Sequence, residues 1–523
     1  MTDDRAGRAG DLSPGRAGAF VAIAALLATL PGLGSTRLSY HEAIVAQGAR
    51  EMVASGDWLV PGLDGRPWPE KPPIAHWLVA VSATLGSRLG VGPEAAARFP
   101  SAIGAVGLAL AVATFARRRF GPSAGLLAGL AQAVAPWAVL RGRLAEADLG
   151  LACLVAWILV GFDALRDPGE LGRSAGSRRR LARLVLLGLG ATALAKGVGF
   201  GAALALAAMV AALVWDRDRA TARALLDPVG LAVAALIALA WPLAVAARYP
   251  EAVGLWTTHV ADRLADRPEV FAGRSPWWWY APIVLGLALP WTPIALFEAR
   301  RSIGRARRDR LGADRLLIAW AVAPIALLSL ATIKNAHYAI HALPPWSVWG
   351  ALGLARLMDR LAARRGRDRP ANRVRIAAGL AIVAAAIGVG FGVMGDRLDR
   401  RGVEWGFYAE VARKARPDEP VVLVYDDYDR LPYPTPFGPF PHDLAVRLYY
   451  LDRPARWLTL PGSGSLPTGP FSAVARARDL ATLRRVGRVE EVAQGPPARW
   501  DRTFTLYRVT PDPAIASEPP TLR

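Results

Sequence analysis

Residues 183–217 read RLVLLGLGATALAKGVGFGAALALAAMVAALVWDR. At a rise of about 1.5 Å per helical residue, this run is too long for one crossing of a bilayer core of roughly 30 Å and long enough for two. Lys196-Gly197 interrupts it near the middle, and arginines stand at both ends. An outward and a returning helix leave both arginine ends on one side, as expected where short cytoplasmic loops retain Lys and Arg.

The same demand orders the rest of the chain. Arginine clusters at 117–119, 173–183, 217–223, 300–315 and 356–375 alternate with apolar runs at 17–34, 99–116, 124–140, 149–165, 229–247, 277–297, 316–333, 338–357 and 376–394. With the central hairpin this gives about eleven membrane helices, the amino terminus cytoplasmic and the carboxyl terminus outside. The arginines before residue 17 resemble a signal peptide's, but no convincing small-residue cleavage site follows, so the first run reads as an uncleaved span. Residues 74–86 are too short to cross, and counting them would invert every later loop, so they read as an interfacial or re-entrant helix. The expected domains are a membrane domain over 1–394 with an external loop at 35–97, and a small external α/β domain over 395–523. In the latter, 421–425 and 503–507 read as strands, 473–483 as a helix and 432–441 as a proline loop.

The 523 residues are 53% hydrophobic with a formal charge of +20. That composition excludes a disordered chain and an ordinary small soluble domain. The positive charge sits in short clusters between apolar runs, which orients spans and gives no footprint for nucleic acid. Cys153 is the only cysteine, so no intramolecular disulfide and no cysteine-based zinc site can form. There is no P-loop, dinucleotide fingerprint or G-x-S-x-G elbow. Most of the 18 tryptophans read as an aromatic belt.

Ionisable side chains are costly at membrane depth, so their distribution is informative. Five of the six histidines, His41, His76, His259, His337 and His341, fall in or beside segments expected outside. With them come Glu42, Glu51, Asp57, Glu70, Lys71, Arg143, Glu146, Asp148, Lys196, Lys334 and Tyr338, enough to line one external cavity. Each has a plainer reading. Glu42 suits a helix start, Asp148 a helix cap, Arg143 a snorkelling side chain, and His337-Tyr338 a belt pair. Lys196 is harder to dismiss, because a lysine between apolar helices must reach water, a carboxylate or a lipid phosphate.

Several of these residues stand in ordered strings. Tyr40-His41-Glu42-Ala43, Glu70-Lys71-Pro72-Pro73, Arg98-Phe99-Pro100-Ser101-Ala102, Gly142-Arg143 with Asp148, Ala195-Lys196-Gly197, Pro290-Trp291 and Lys334 with His337-Tyr338 follow one another in sequence. In this order they resemble the bacterial glycosyltransferase family 39 group, which includes lipid A aminoarabinose transferases and is related to protein O-mannosyltransferases. The resemblance covers roughly residues 17–360.

It implies a polytopic α-helical membrane protein of the C-type glycosyltransferase fold in a bacterial inner membrane, with its active site on the periplasmic side. It also implies a polyprenyl-phosphate sugar donor and a lipid, glycan or protein acceptor. On this reading Lys71, Arg143, Lys196, His337 and Tyr338 bind the donor phosphate, Glu42, His41 and Asp148 are the catalytic candidates, and Glu70 and His341 stand on the acceptor or metal side. Such a transfer needs a carboxylate or imidazole to activate the acceptor and cations for the departing phosphate. One departure bears on the base: relatives usually carry Asp-Glu where this chain has His41-Glu42. Either Glu42 takes the role, or His41 does, or the protein is a noncatalytic relative that binds lipid-linked sugar. A lipid-linked sugar transporter is the remaining alternative. A divalent metal ion stays open as a cofactor, although no zinc-binding spacing such as H-E-x-x-H occurs.

Overall fold

Proline repeatedly opens the apolar runs, where its missing N–H costs nothing and its fixed φ suits a first helical turn. Helices Pro14–Thr29, Pro93–Phe120 and Pro228–Arg248 all begin this way in the computed structural model. The structure describes residues 12–167, 174–264, 275–364, 369–398, 402–425, 437, 443–459, 466–497 and 503–512. Side chains around His259 and, apart from Phe437, the expected loop at 432–441 lie outside the described residues.

Two compact units result, one formed by residues 1–33 and 69–393, the other by 34–68 and 394–523. In the first, every apolar run is helical. The run at 124–140 is a pair, Pro122–Ala133 and Pro136–Gly142, bent by 58°, and that at 277–297 is Tyr280–Leu287 and Thr292–Arg308, bent by 112°. The central run becomes Ala175–Ala191 and Phe200–Asp216, joined by the short helix Ala193–Lys196. A 3-10 helix, Ala336–Ala342, precedes Pro344–Arg364 where one continuous span was expected. By length and composition four described helices could cross a membrane, or six if each bent pair counts as one. The short run at 74–86 is the helix Ile74–Arg88. Small residues permit close packing between helices. A Cβ on Gly190 would lie 2.5 Å from the Ala234 carbonyl oxygen, so helices Ala175–Ala191 and Pro228–Arg248 meet backbone to backbone.

Arginines that the sequence marked only as loop residues are held by acids. Arg119 donates to both carboxylate oxygens of Asp163, at 2.9 and 2.8 Å. Asp216, 1% exposed, accepts from Arg166, from Arg315 at 2.8 Å and from the backbone N–H of Leu311 at 3.1 Å. Pairing offsets part of the desolvation of both signs of charge.

The second unit contains a two-stranded hairpin, β1 (Gly62–Leu63) and β2 (Arg66–Pro67), and a five-stranded mixed sheet. The sheet strands are β3 (Val421–Tyr425), β4 (Ala455–Thr459), β5 (Phe471–Arg476), β6 (Gly487–Gln494) and β7 (Phe504–Pro511), in the order β4-β3-β5-β7-β6. Strand β3 is parallel to β4 and β5, whereas β7 is antiparallel to β5 and β6. The helix expected over 473–483 is corrected here: its first part belongs to β5, and only Leu480–Val486 is α-helical. Every residue of β5 is buried, and pairing on both sides overrides the helical preference of its alanines.

Residues 34–68 were expected with the membrane domain, but they pack with the tail. The Tyr450 hydroxyl accepts the Leu38 N–H at 2.7 Å. Arg50 donates to the Tyr449 carbonyl at 2.9 Å, with its guanidinium 4.3 Å from that ring centroid.

Replacing Asp216 with Ala would strand the buried Arg166, at a cost of roughly 3–5 kcal/mol. Replacing Asp452, 76% exposed in its pair with Arg50, should cost under about 1 kcal/mol. Thermal melting of the detergent-purified full chain should therefore drop sharply for Asp216→Ala and barely for Asp452→Asn.

Candidate functional site

Asp148 is the first residue of the helix Asp148–Arg166, where aligned backbone N–H groups favour a negative charge. Its side chain is buried, yet two cations reach it: Lys196 donates to one carboxylate oxygen and Arg141 donates to the other at 2.7 Å. Arg141 also pairs with Glu146 at 2.6 Å. Lys196 ends its short helix because Gly197 follows with φ +85°. Its ammonium lies 4.5 Å from the Tyr338 ring centroid and 5.5 Å from that of Phe200, so one cation is shared between a carboxylate and two aromatic rings.

The 3-10 helix Ala336–Ala342 supplies the opposite wall. His337 stands edge-on to Tyr338 with centroids 4.5 Å apart, and Phe200 lies 4.9 Å from Tyr338 and 6.2 Å from His341. His341 is 1% exposed, and neither of its ring nitrogens has a hydrogen-bond partner among the described residues. Asp148, Lys196, His337, Tyr338 and His341 thus form one cluster, with electrostatic coupling between Asp148 and His337.

Glu70 and Lys71 lie on a segment fixed at both ends. The Trp256 indole N–H donates to the Pro69 carbonyl at 2.8 Å, and Pro72 and Pro73 are buried. The helix Ile74–Arg88 that follows packs against Ala193–Lys196, the helix carrying Lys196. Lys71 is half-buried, and its charge acts on His76. Burial first, and Lys71 second, push the His76 imidazole down to about 3, against a smaller opposing effect of a hydrogen bond with the Pro72 backbone.

Other expected site residues lie elsewhere. Arg143 donates to the carbonyls of Thr29, Pro31 and Gly32 at 2.6, 2.9 and 2.7 Å, with its guanidinium 4.0 Å from the Phe391 centroid. It caps the end of the helix Pro14–Thr29, whose last carbonyls lack helical partners. His41 and Glu42 belong to the other unit. Glu42, 1% exposed, accepts the Ser39 N–H at 2.9 Å and completes a capping box at the start of the helix Tyr40–Ser55. His41 is exposed and lies 3.8 Å from the Tyr40 ring.

Arg141 and Phe200 escaped sequence reasoning. Arg141 is two residues from Arg143, and only tertiary placement tells which of them meets Asp148. Phe200 looked like one more apolar residue of a span. Among the described residues no three His, Cys, Asp or Glu side chains group so as to hold a metal ion. Both Asp148 oxygens already accept from cations.

Because folding lowers the His76 pKa from an ordinary 6.5 to about 3, the unfolded chain binds more protons between those values. His76 should therefore stabilise the fold above pH 6.5 and lose that contribution as pH falls toward 3. Melting temperatures across pH 7.5 to 5 should fall less steeply in His76→Gln than in the unmodified protein; parallel curves would contradict this.

Residues 70–247 match the dolichyl-phosphate-mannose-protein mannosyltransferase family. The chain is 31% identical, over 65% of its length and 59% of the relative's, to an undecaprenyl phosphate-alpha-4-amino-4-deoxy-L-arabinose arabinosyl transferase of Edwardsiella ictaluri. The match thus spans less than two thirds of that relative. ArnT from Cupriavidus metallidurans, solved bound to undecaprenyl phosphate, superposes with a TM-score of 0.74 at 20% identity, covering 95% of this chain and 98% of that one. An oligosaccharyltransferase from Archaeoglobus fulgidus in the apo form gives 0.54 at 14% identity, covering 86% and 65%.

Proposed function

Starting from a chain that is aminoarabinose-transferase-like in sequence and has the C-type glycosyltransferase membrane fold, we propose that it transfers a sugar from a polyprenyl-phosphate donor to a lipid, glycan or protein acceptor. The proposed place is the periplasmic face of a bacterial inner membrane, with the amino terminus in the cytoplasm and about eleven crossings. The observation that carries this reading is the buried Asp148 carboxylate bridging Lys196 and Arg141 beside Tyr338, Phe200 and His341, whose ring nitrogens have no hydrogen-bond partner among the described residues. Such a cluster fixes the Lys196 ammonium beside aromatic rings, an apolar boundary where a lipid phosphate would sit and a wholly aqueous cleft would not hold a prenyl tail.

In the transfer, the bond between the anomeric carbon and the donor phosphate oxygen breaks and a bond to the acceptor oxygen or nitrogen forms. The electron pair leaves with the phosphate, and the acceptor proton goes to a base. Lys196, Lys71 and His337 neutralise the departing phosphate, and Tyr338 donates to it. Asp148 and Arg141 fix Lys196 so that little reorganisation is needed. Arg143, expected at the donor phosphate, instead holds the end of the first helix. Glu42 or His41 takes the acceptor proton, and Glu70 and His341 serve the acceptor side. A noncatalytic binder of lipid-linked sugar is the second reading, favoured by His41 in the usual aspartate position and by the capping-box engagement of Glu42.

Purified full-length protein with radiolabelled undecaprenyl-phosphate sugar distinguishes the two. Lys196→Met should slow sugar release by about 10²–10³-fold, as for loss of one charge-stabilising donor. Glu42→Gln should abolish transfer if Glu42 is the base. Donor binding without any sugar release, tried across lipid, glycan and peptide acceptors, would replace transfer by binding.

A further inference from the structure

The helix Thr292–Arg308 has two unlike faces. Ala295, Glu298, Ser302 and Ala306, three or four residues apart, are buried. Leu296, Arg300, Ile303 and Arg307, at the same kind of spacing, form an exposed stripe, flanked by Arg308 and by Phe297, which is 74% exposed. Large apolar side chains and guanidiniums therefore alternate along the outer face. The charges of the two faces also differ. Glu298, the only acid of this helix, accepts from Arg305 at 3.1 Å and from Arg356, and pairs with Arg301 at 3.7 Å. Arg305 donates to Asp314 as well, at 2.7 Å. By contrast, Arg300, Arg307 and Arg308 pair with no carboxylate among the described residues.

The Glu298–Arg356 pair joins this helix to Pro344–Arg364, which packs against it and ends in the same way. Leu357 and Leu361 are exposed there, together with Arg360 and Arg364. The only acid of that helix, Asp359, lies 3.5 Å from Arg373. The depth of the stripe is marked by a tryptophan. Arg315 donates to the Ala306 carbonyl at 2.6 Å and to the Trp215 carbonyl at 3.1 Å, so the Arg307 end of the stripe lies close to Trp215. Trp215 is exposed beside Val214 at the end of the apolar helix Phe200–Asp216, the position an indole takes in the headgroup zone of a bilayer.

These observations select the occupant. A soluble polyanion would meet the guanidiniums but leave Leu296, Phe297 and Ile303 in water. A zwitterionic lipid would cover the apolar residues but bring a cation of its own to the arginines. A lipid whose headgroup carries net negative charge satisfies both halves of the stripe, with the arginine stems lying along apolar surface and their guanidiniums at the phosphate. We propose that the outer face of the helix Thr292–Arg308 binds an anionic phospholipid of the surrounding leaflet. Its phosphate sits between Arg300 and Arg307, and its acyl chains run from Ile303 toward Leu296 and Phe297. This site goes beyond the transfer reading and does not depend on it.

The test is native mass spectrometry of the detergent-purified full chain, titrated with phosphatidylglycerol, with phosphatidylcholine of the same acyl chains, with glycerol 3-phosphate and with poly-glutamate. Phosphatidylglycerol should bind at least about tenfold more tightly than each of the other three. Arg300→Gln combined with Arg307→Gln, both at exposed positions, should weaken phosphatidylglycerol by roughly thirtyfold, the effect of two arginines near a charged lipid surface, with phosphatidylcholine binding and melting temperature unchanged. Phe297→Ser should weaken both lipids. Arg484→Gln with Arg485→Gln removes the same charge from exposed positions of the other unit and should leave the preference in place, as should Lys196→Met at the donor site. Equal affinity for the two lipids, a preference that survives the Arg300 and Arg307 changes or is lost with Lys196 or the Arg484 pair, or indifference to Phe297→Ser would overturn the proposal. Glycerol 3-phosphate binding as tightly as phosphatidylglycerol would overturn it in favour of a soluble phosphate, and poly-glutamate doing so in favour of an acidic polypeptide.

Discussion

A charge removed from water must be paired or it unfolds the surroundings, and this constraint governs both the scaffold and the candidate site. At Asp216 it is met twice over, by Arg166 and Arg315, and by a backbone N–H. At Asp163 a single guanidinium spans both oxygens. Asp148 solves the same problem with Lys196 and Arg141, but its environment differs: aromatic rings stand around the cation, with the buried His341 imidazole beside them. What sets the Asp148 cluster apart is that its lysine also meets the Tyr338 and Phe200 rings.

Helix position follows from this. Asp148 can be buried because it begins a helix, Lys196 can reach it because Gly197 stops a four-residue helix, and Tyr338 can lie against the lysine because a 3-10 turn replaces the start of a span. The breaks in the apolar runs are therefore what brings the Asp148 cluster together. The long helix Pro228–Arg248, by contrast, buries little beyond Gly230, Trp241 and Val245.

Much of the helical scaffold was legible because apolar length and arginine punctuation are local properties; the hairpin broken at Lys196-Gly197 is the clearest case. Strand β3 was legible too, as a short β-branched run. Arg141 was not, because choosing between Arg141 and Arg143 requires knowing that the latter caps a helix more than a hundred residues earlier in the chain. The attachment of residues 34–68 to the tail was equally hidden, since the Tyr450 and Tyr449 contacts join segments about four hundred residues apart. Strand β5 was misread because its alanines favour a helix and only its two neighbours in the sheet say otherwise. Glu42 shows the converse: its capping geometry was readable as the plain alternative, while its chemistry rests on resemblance alone.

A cryo-electron microscopy structure of the full-length protein with undecaprenyl phosphate would address the donor site most directly. Phosphate density within hydrogen-bonding reach of Lys196, with the prenyl chain running from it along apolar helix faces, is the expected result. Phosphate density away from Lys196, with the Asp148 to Lys196 pair left closed and solvent-remote, would contradict the assignment of this cluster to donor binding.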